Sequence, residues 1–262
     1  LALFFTETGA GLFFLSIFFK NLFGMLLGWF LCLVLGAGFF LLHMGQPLRA
    51  FRAMFRPQTS WISRGVLFIS LFGILGAVLV ILFYLSPNRN LLVLRVIIGC
   101  LSILVAIYAG MLMSFVRAIP LWNSGLLPIS YVVAGLWSGS ELLLAIHLLS
   151  NAPIEQIDLW IRVLLPSFTL ILVLYLVSIT SSSETGWASV KRIIAGDLAG
   201  RFYIGAVLLG LIVPIIVVLY SLSVGAASVP MSLYLAAIVC GLIGDLTIRY
   251  CILKGALYTP II

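Results

Sequence analysis

Charged side chains are scarce in this chain, at 8% of its 262 residues. A soluble domain carries roughly 25%, so a water-facing surface could not be covered with what is here. Histidine is almost absent. A bis-imidazole haem needs two histidines at one depth on facing helices, whereas His43 ends the second apolar run and His147 ends the fifth, toward opposite faces. Cysteine is sparse and unpatterned: Cys32, Cys100, Cys240 and Cys251 sit singly inside apolar segments with no C-x-x-C spacing. They are expected to be small buried hydrophobes. No haem, iron–sulfur cluster or other metal site is therefore expected in this chain. A cleavable signal is missing as well, since Leu1 already lies in an apolar run without a basic leader or an A-x-A-like site. A start at Leu rather than Met suggests that a short N-terminal piece precedes it.

What the sequence has is apolar length. Hydrophobic residues make up 64% of it, with a mean hydropathy of +1.31. Crossing a hydrocarbon core of about 30 Å takes roughly 20 helical residues. Only helices and closed barrels satisfy their backbone internally in lipid, and runs that are continuous rather than alternating select helices. The fold class expected is an all-α integral membrane protein, a single bundle of eight transmembrane helices. The spans fall near 1–19, 21–43, 61–84, 91–116, 128–149, 158–180, 201–222 and 231–253. Small residues such as Gly9, Gly11, Gly36, Gly241 and Gly244 are expected to let helices approach closely. The longest irregular connections are 44–60 and 181–200.

Eight spans put both termini on one side, face A. Its ends and loops carry Arg49, Arg52, Arg56, Arg64, Arg117, Lys191, Arg192, Arg201, Arg249 and Lys254, ten basic residues against Lys20, Arg89, Arg95 and Arg162 on face B. Positive charge at helix ends rather than in one stripe argues against nucleic acid as a partner. The positive-inside rule would put face A in the cytoplasm. In the 44–60 connection Arg49, Arg52 and Arg56 recur at helical spacing with Phe51 and Phe55 between them. That pattern suits either an interfacial amphipathic helix with snorkelling arginines or a platform for a protein partner.

Ionisable groups inside a membrane are costly, so each is a functional candidate. Glu7, Tyr108 and Asp245 fall at similar depth from face A on three helices and could line one pocket. Asp245 also has Arg249 at i+4, the spacing of an ordinary intrahelical ion pair. Glu141 is the deepest charge, near mid-bilayer, and burial disfavours a charged carboxylate without a cation beside it. With His147, Arg95 and Arg162 toward face B it makes a candidate proton path or a set of interhelical bonds.

Three segments resemble the NrfD/PsrC family, the membrane subunits of polysulfide-reductase-like complexes. The first runs from His43-Met44-Gly45-Gln46-Pro47-Leu48-Arg49 through Arg56-Pro57-Gln58-Thr59-Ser60-Trp61 to Arg64-Gly65. The second is Tyr108-Ala109-Gly110 with Ile119-Pro120-Leu121-Trp122-Asn123-Ser124. The third is Gly244-Asp245 through Arg249-Tyr250 to Lys254. The resemblance implies a haem-free anchor in a bacterial or archaeal plasma membrane. Such an anchor exchanges electrons between a quinone pool (menaquinone or ubiquinone) and a four-cluster iron–sulfur subunit. That partner in turn joins a molybdopterin, cytochrome c or hydrogenase-type catalytic subunit. The family's quinone pocket lies near the partner face and uses the fourth-helix tyrosine, here Tyr108. Trp122 and Asn123 in the following loop and Asp245 in the last helix extend the quinone-contact set. The arginine loop of Arg49, Arg52, Arg56 and Arg64 is the expected docking surface. The family's first-helix His/Asn pair is not seen, its place falling at or before Leu1, so Glu7, between Thr6 and Thr8, becomes the acid/base candidate.

Two other classes compete, a secondary transporter and a passive anchor. Transporters often show repeats and helices broken at mid-membrane. Pro166 and Pro214 could mark kinks, but no paired broken segments occur in corresponding halves.

Overall fold

The computed structural model describes residues 1–43, 58, 60–86 and 90–259, with the His43 side chain outside that description. Arg49, Arg52 and Arg56, the core of the expected docking surface, lie outside the described residues, as do Phe51, Phe55 and Arg89. The described residues form helices and connecting turns, without strands. In chain order the helices are α1 (Ala2–Phe18), α2 (Leu22–Leu42), α3 (Trp61–Leu85), α4 (Leu92–Ser114), α5 (Leu126–Leu149), α6 (Glu155–Thr180), α7 (Glu184–Ala195), α8 (Ala199–Val224) and α9 (Met231–Lys254). Seven of these are long and apolar enough to cross a membrane, and α1 is an apolar helix of 17 residues. This is an all-α, multi-pass membrane protein.

Side-chain caps set several helix starts. Asn21 accepts from Gly24 N–H at 2.8 Å, Ser60 from Ser63 N–H at 3.4 Å and Ser183 from Gly186 N–H at 3.0 Å. Each satisfies a backbone donor that the first turn leaves without an intrahelical partner. The tight turns at face B use left-handed backbone at Lys20 (φ 51°) and Asn151 (φ 52°). Gly225, at φ 85°, ends α8 in a conformation that favours glycine.

One expectation is corrected here. The 181–200 connection is not irregular, because Glu184–Ala195 forms α7. Hydropathy pointed away from a helix there, yet the segment is amphipathic. Ser189, Val190 and Ile193 are buried while Trp187 is exposed with Lys191 Nζ 4.8 Å from its ring centroid. A polar outer face lowers the mean without lowering helicity.

α1 is the seam of the bundle. It packs against α2 and α4 on one side and against α5 on the other, and α5 in turn packs on α6 and α9. Two apolar cores meet along it. One joins α1 to α2, α3 and α4 through Phe13, Met25, Phe72 and Val105, and the other joins it to α5, α6, α8 and α9 through Leu12, Trp137, Phe168 and Ile238. Two spans contain π-helical stretches, Leu31–Ala37 in α2 and Phe202–Ile212 in α8. Small residues sit at the closest crossings, as a Cβ on Gly244 would strike the Gly210 backbone across α8 and α9.

Contacts between termini and loops show which ends share a face. Trp122 Nε1 donates to Ile252 O at 3.0 Å, Thr259 N–H to Ala118 O at 3.0 Å, and Arg201 Nη1 to the Tyr250 hydroxyl at 2.9 Å. The α4–α5 loop, the start of α8 and the end of α9 therefore lie together at face A, and the start of α1 joins them, since Leu1 and Leu3 line one cavity with Gly200, Arg201 and Leu253.

Candidate functional site

The densest group of buried charge sits where α1, α5 and α9 meet near face A. Glu7, Asp245 and Arg249 expose 0%, 1% and 4% of their surfaces. Arg249 Nη1 pairs with Glu7 Oε1 across the helix interface, and Arg249 Nη2 donates to Asp245 Oδ2 at 3.0 Å along α9. The guanidinium carbon stands 4.9 Å from the Tyr131 ring centroid, a cation–π arrangement from α5. Tyr131 in turn donates its hydroxyl to Met113 Sδ at 3.2 Å. Below this group Thr8 and Ser138 share a hydrogen bond of 3.0 Å.

One guanidinium thus faces two carboxylates in a low-dielectric setting, and its donors are not used up. Arg249 Nε and Glu7 Oε2 have no hydrogen-bond partner. Buried polar groups normally do, so these two orphaned atoms mark a place where a ligand group or a proton can be received. The same Arg249 lines a cavity of about 680 Å³, walled by Leu3 and Phe4 of α1, Ile204 and Gly205 of α8 and Leu246 of α9. Its outer rim includes the exposed residues Ile204 and Tyr250, so it opens on the outside of the bundle. Apolar walls with a few convergent polar groups are the usual form of a small-molecule site.

The expected site residues are distributed unevenly. Glu7 and Asp245 come together through Arg249. Tyr108 does not join them. Its ring occupies the space over Gly65 of α3, where a Cβ would overlap it. Trp122 braces the α4–α5 loop on the end of α9, and Asn123 is exposed in that loop. Arg64 donates to Gln58 O at 2.9 Å and lies 4.6 Å from the Trp61 ring centroid.

The four residues grouped as a proton path do not sit together either. His147 Nδ1 is 2.8 Å from Pro153 O at the end of α5. Arg95 lies over the Phe83 ring and shares an outward groove with Lys20. Arg162 pairs with Asp158 one turn before it and donates to Ser221 O at 3.1 Å. Glu141 is 2% exposed, and its Oε2 has no hydrogen-bond partner.

Two participants carry little sequence signal. By spacing Arg249 belongs to Asp245 alone, because its pairing with Glu7 crosses helices. Tyr131 carried no sequence signal, since one tyrosine among apolar residues does not reveal what lies over its ring.

Residues 1–261, essentially the whole chain, match the family described as Polysulphide reductase, NrfD. The chain belongs to the NrfD family. No curated protein matches it. NrfD chains are membrane subunits of polysulfide-reductase-like complexes, and this NrfD chain has the long apolar helices of a multi-pass membrane protein.

Proposed function

We propose that this NrfD chain is the quinone-reactive anchor of a respiratory oxidoreductase, exchanging electrons between the quinone pool and an attached iron–sulfur subunit. One observation carries the reading. Arg249, whose Nε–H is unpartnered, lines an apolar cavity of about 680 Å³ and pairs with two buried carboxylates.

The donor set suits the group. A quinone accepts hydrogen bonds at its carbonyls and takes up protons as electrons arrive. Arg249 would donate to a carbonyl oxygen and hold the head in place, and the apolar walls would receive the tail. Glu7, whose Oε2 is unpartnered, would hold or release a proton beside that head. Asp245 keeps the guanidinium oriented along α9. Tyr108, Trp122 and Asn123 stay with the reading as contacts implied by the family. The Arg49, Arg52, Arg56 and Arg64 loop stays as the docking surface for the iron–sulfur subunit. Face A, with both termini, is placed in the cytoplasm.

The test is quinone-linked turnover of the purified native complex carrying Glu7→Gln, Arg249→Lys or Tyr108→Phe. Arg249→Lys keeps a positive charge but removes the planar fork. A loss of roughly tenfold or more in the first two, with assembly intact, is the expected result. Loss confined to Tyr108→Phe would move the quinone head to the space beside Gly65. Wild-type turnover in all three would favour a passive anchor.

A further inference from the structure

At face B, the end of the bundle remote from the cavity, two cations stand on one apolar groove. The turn from α1 to α2 places Lys20 there in left-handed backbone (φ 51°), and the first turn of α4 places Arg95 there. The groove measures about 400 Å³ and lies between α1 and α4, with Phe14, Ile17, Val96 and Gly99 among its walls. Val96 is exposed, so the groove faces the outside of the bundle. Apart from Lys20 and Arg95 its lining is apolar, and no acidic residue is part of it.

Charge sets this groove apart from the rest of the apolar surface. Among the described residues, Glu7, Asp158, Asp197 and Asp245 pair with Arg249, Arg162 and Arg192, and no carboxylate pairs with Lys20 or Arg95. Arg95 stands over the Phe83 ring at 5.4 Å, yet its Nε is buried without a hydrogen-bond partner. A ring face attracts the charge but accepts no ordinary hydrogen bond, and buried donors normally have one. α4 has no acidic residue in its first turn, where the helix macrodipole favours a negative group and opposes a cation. Snorkelling would carry both heads toward water along their apolar stems. That accounts for the exposed Lys20 but not for the buried Arg95 Nε–H.

We propose that the groove is a binding site for one anionic phospholipid, its phosphate held by Lys20 and Arg95 and an acyl chain lying along Phe14, Ile17 and Val96. Depth suits this occupant. α4 has 23 residues, about 34 Å at 1.5 Å each, slightly more than a hydrocarbon core of about 30 Å. Its first turn therefore lies where headgroups meet acyl chains. A phosphate oxygen accepts a charge-assisted hydrogen bond from the guanidinium. A zwitterionic lipid would bring its own ammonium against two cations, which disfavours it. A free phosphate would answer the charge and leave the apolar walls uncovered, so the lipid is the better match. The lipid site is distinct from the cavity at face A and does not depend on the quinone reading.

In the test, the full chain in detergent is offered phosphatidylglycerol and phosphatidylcholine in equal amounts, and retained lipid is counted by native mass spectrometry. The wild type should hold one phosphatidylglycerol in preference to phosphatidylcholine. Arg95→Gln and Lys20→Asn should each cut that retention roughly fivefold, the worth of one basic residue at an anionic surface. Lys20 is exposed and asparagine tolerates left-handed backbone, so Lys20→Asn keeps the fold. Arg117→Gln, which removes an exposed cation at face A, should change nothing. Equal retention of the two lipids by the wild type would overturn the site. Wild-type retention in either groove variant, or an equal loss in Arg117→Gln, would do the same. Displacement of the lipid by inorganic phosphate at equal concentration would also overturn it, in favour of a free anion.

Discussion

Removing Arg249 would leave Glu7 and Asp245 buried with no cation beside either. Breaking such a group by deleting one partner costs on the order of 3–5 kcal/mol. Arg249→Ala is therefore expected to lower thermal stability in detergent steeply. Glu7→Gln should cost much less, because Asp245 still faces the guanidinium. Equal stability of Arg249→Ala and the wild type would show that the cluster is not a buried ion pair. The residue scale is also where sequence reading reached its limit. Glu7, Glu141 and Asp245 stood out because each is a charge inside an apolar run. Their partners did not, because pairing across helices depends on which way each helix faces. Apolar residues lie all round α1, α5 and α9, which leaves that rotation undetermined from sequence. Tyr108 illustrates the result. It shares a depth with Glu7, yet its ring packs over Gly65 instead.

At the scale of elements, the long apolar helices were legible, while α7 was not, because amphipathic segments escape a hydropathy reading. α7 ends in an exposed pair. Arg192 Nε donates to Asp197 Oδ1 at 2.8 Å and Nη2 to Oδ2 at 2.9 Å. The hydrogen bonds from Arg192 hold the Asp197 carboxyl below the ordinary carboxylate range. A lowered value means that the contribution is present above the ordinary range and is lost as pH falls through the lowered value. Comparing melting temperatures of wild type and Asp197→Asn from neutral to acid pH checks this. A small gap at neutral pH should close on acidification, and a gap that persists at the lowest pH would contradict the pairing. The arginine loop is tested at the same scale. Reversing charge at Arg49 and Arg52 together should release the iron–sulfur partner in a pull-down, whereas normal assembly would indicate lipid anchoring.

For the whole molecule, α1 joins two cores, and both the cavity and the buried cluster lie on the side shared with α5, α8 and α9. The proposed orientation in the membrane rests on charge alone. Of the ten basic residues counted at face A, Arg249 is buried against carboxylates and reports nothing about topology. The bias survives its removal, though the docking loop supplies much of it. A reporter active only outside the cytoplasm, fused after Ile262, should be silent, and an active fusion would reverse the placement. The most direct measurement of the quinone reading is photolabelling of the native complex with a light-activated quinone analogue, followed by mapping of the labelled peptides. Labels should fall on the cavity walls, at Phe4 of α1, Ile204 of α8 and Leu246 of α9, and excess quinol should displace them. Labelling that quinol does not displace, or that avoids all three helices, would contradict it.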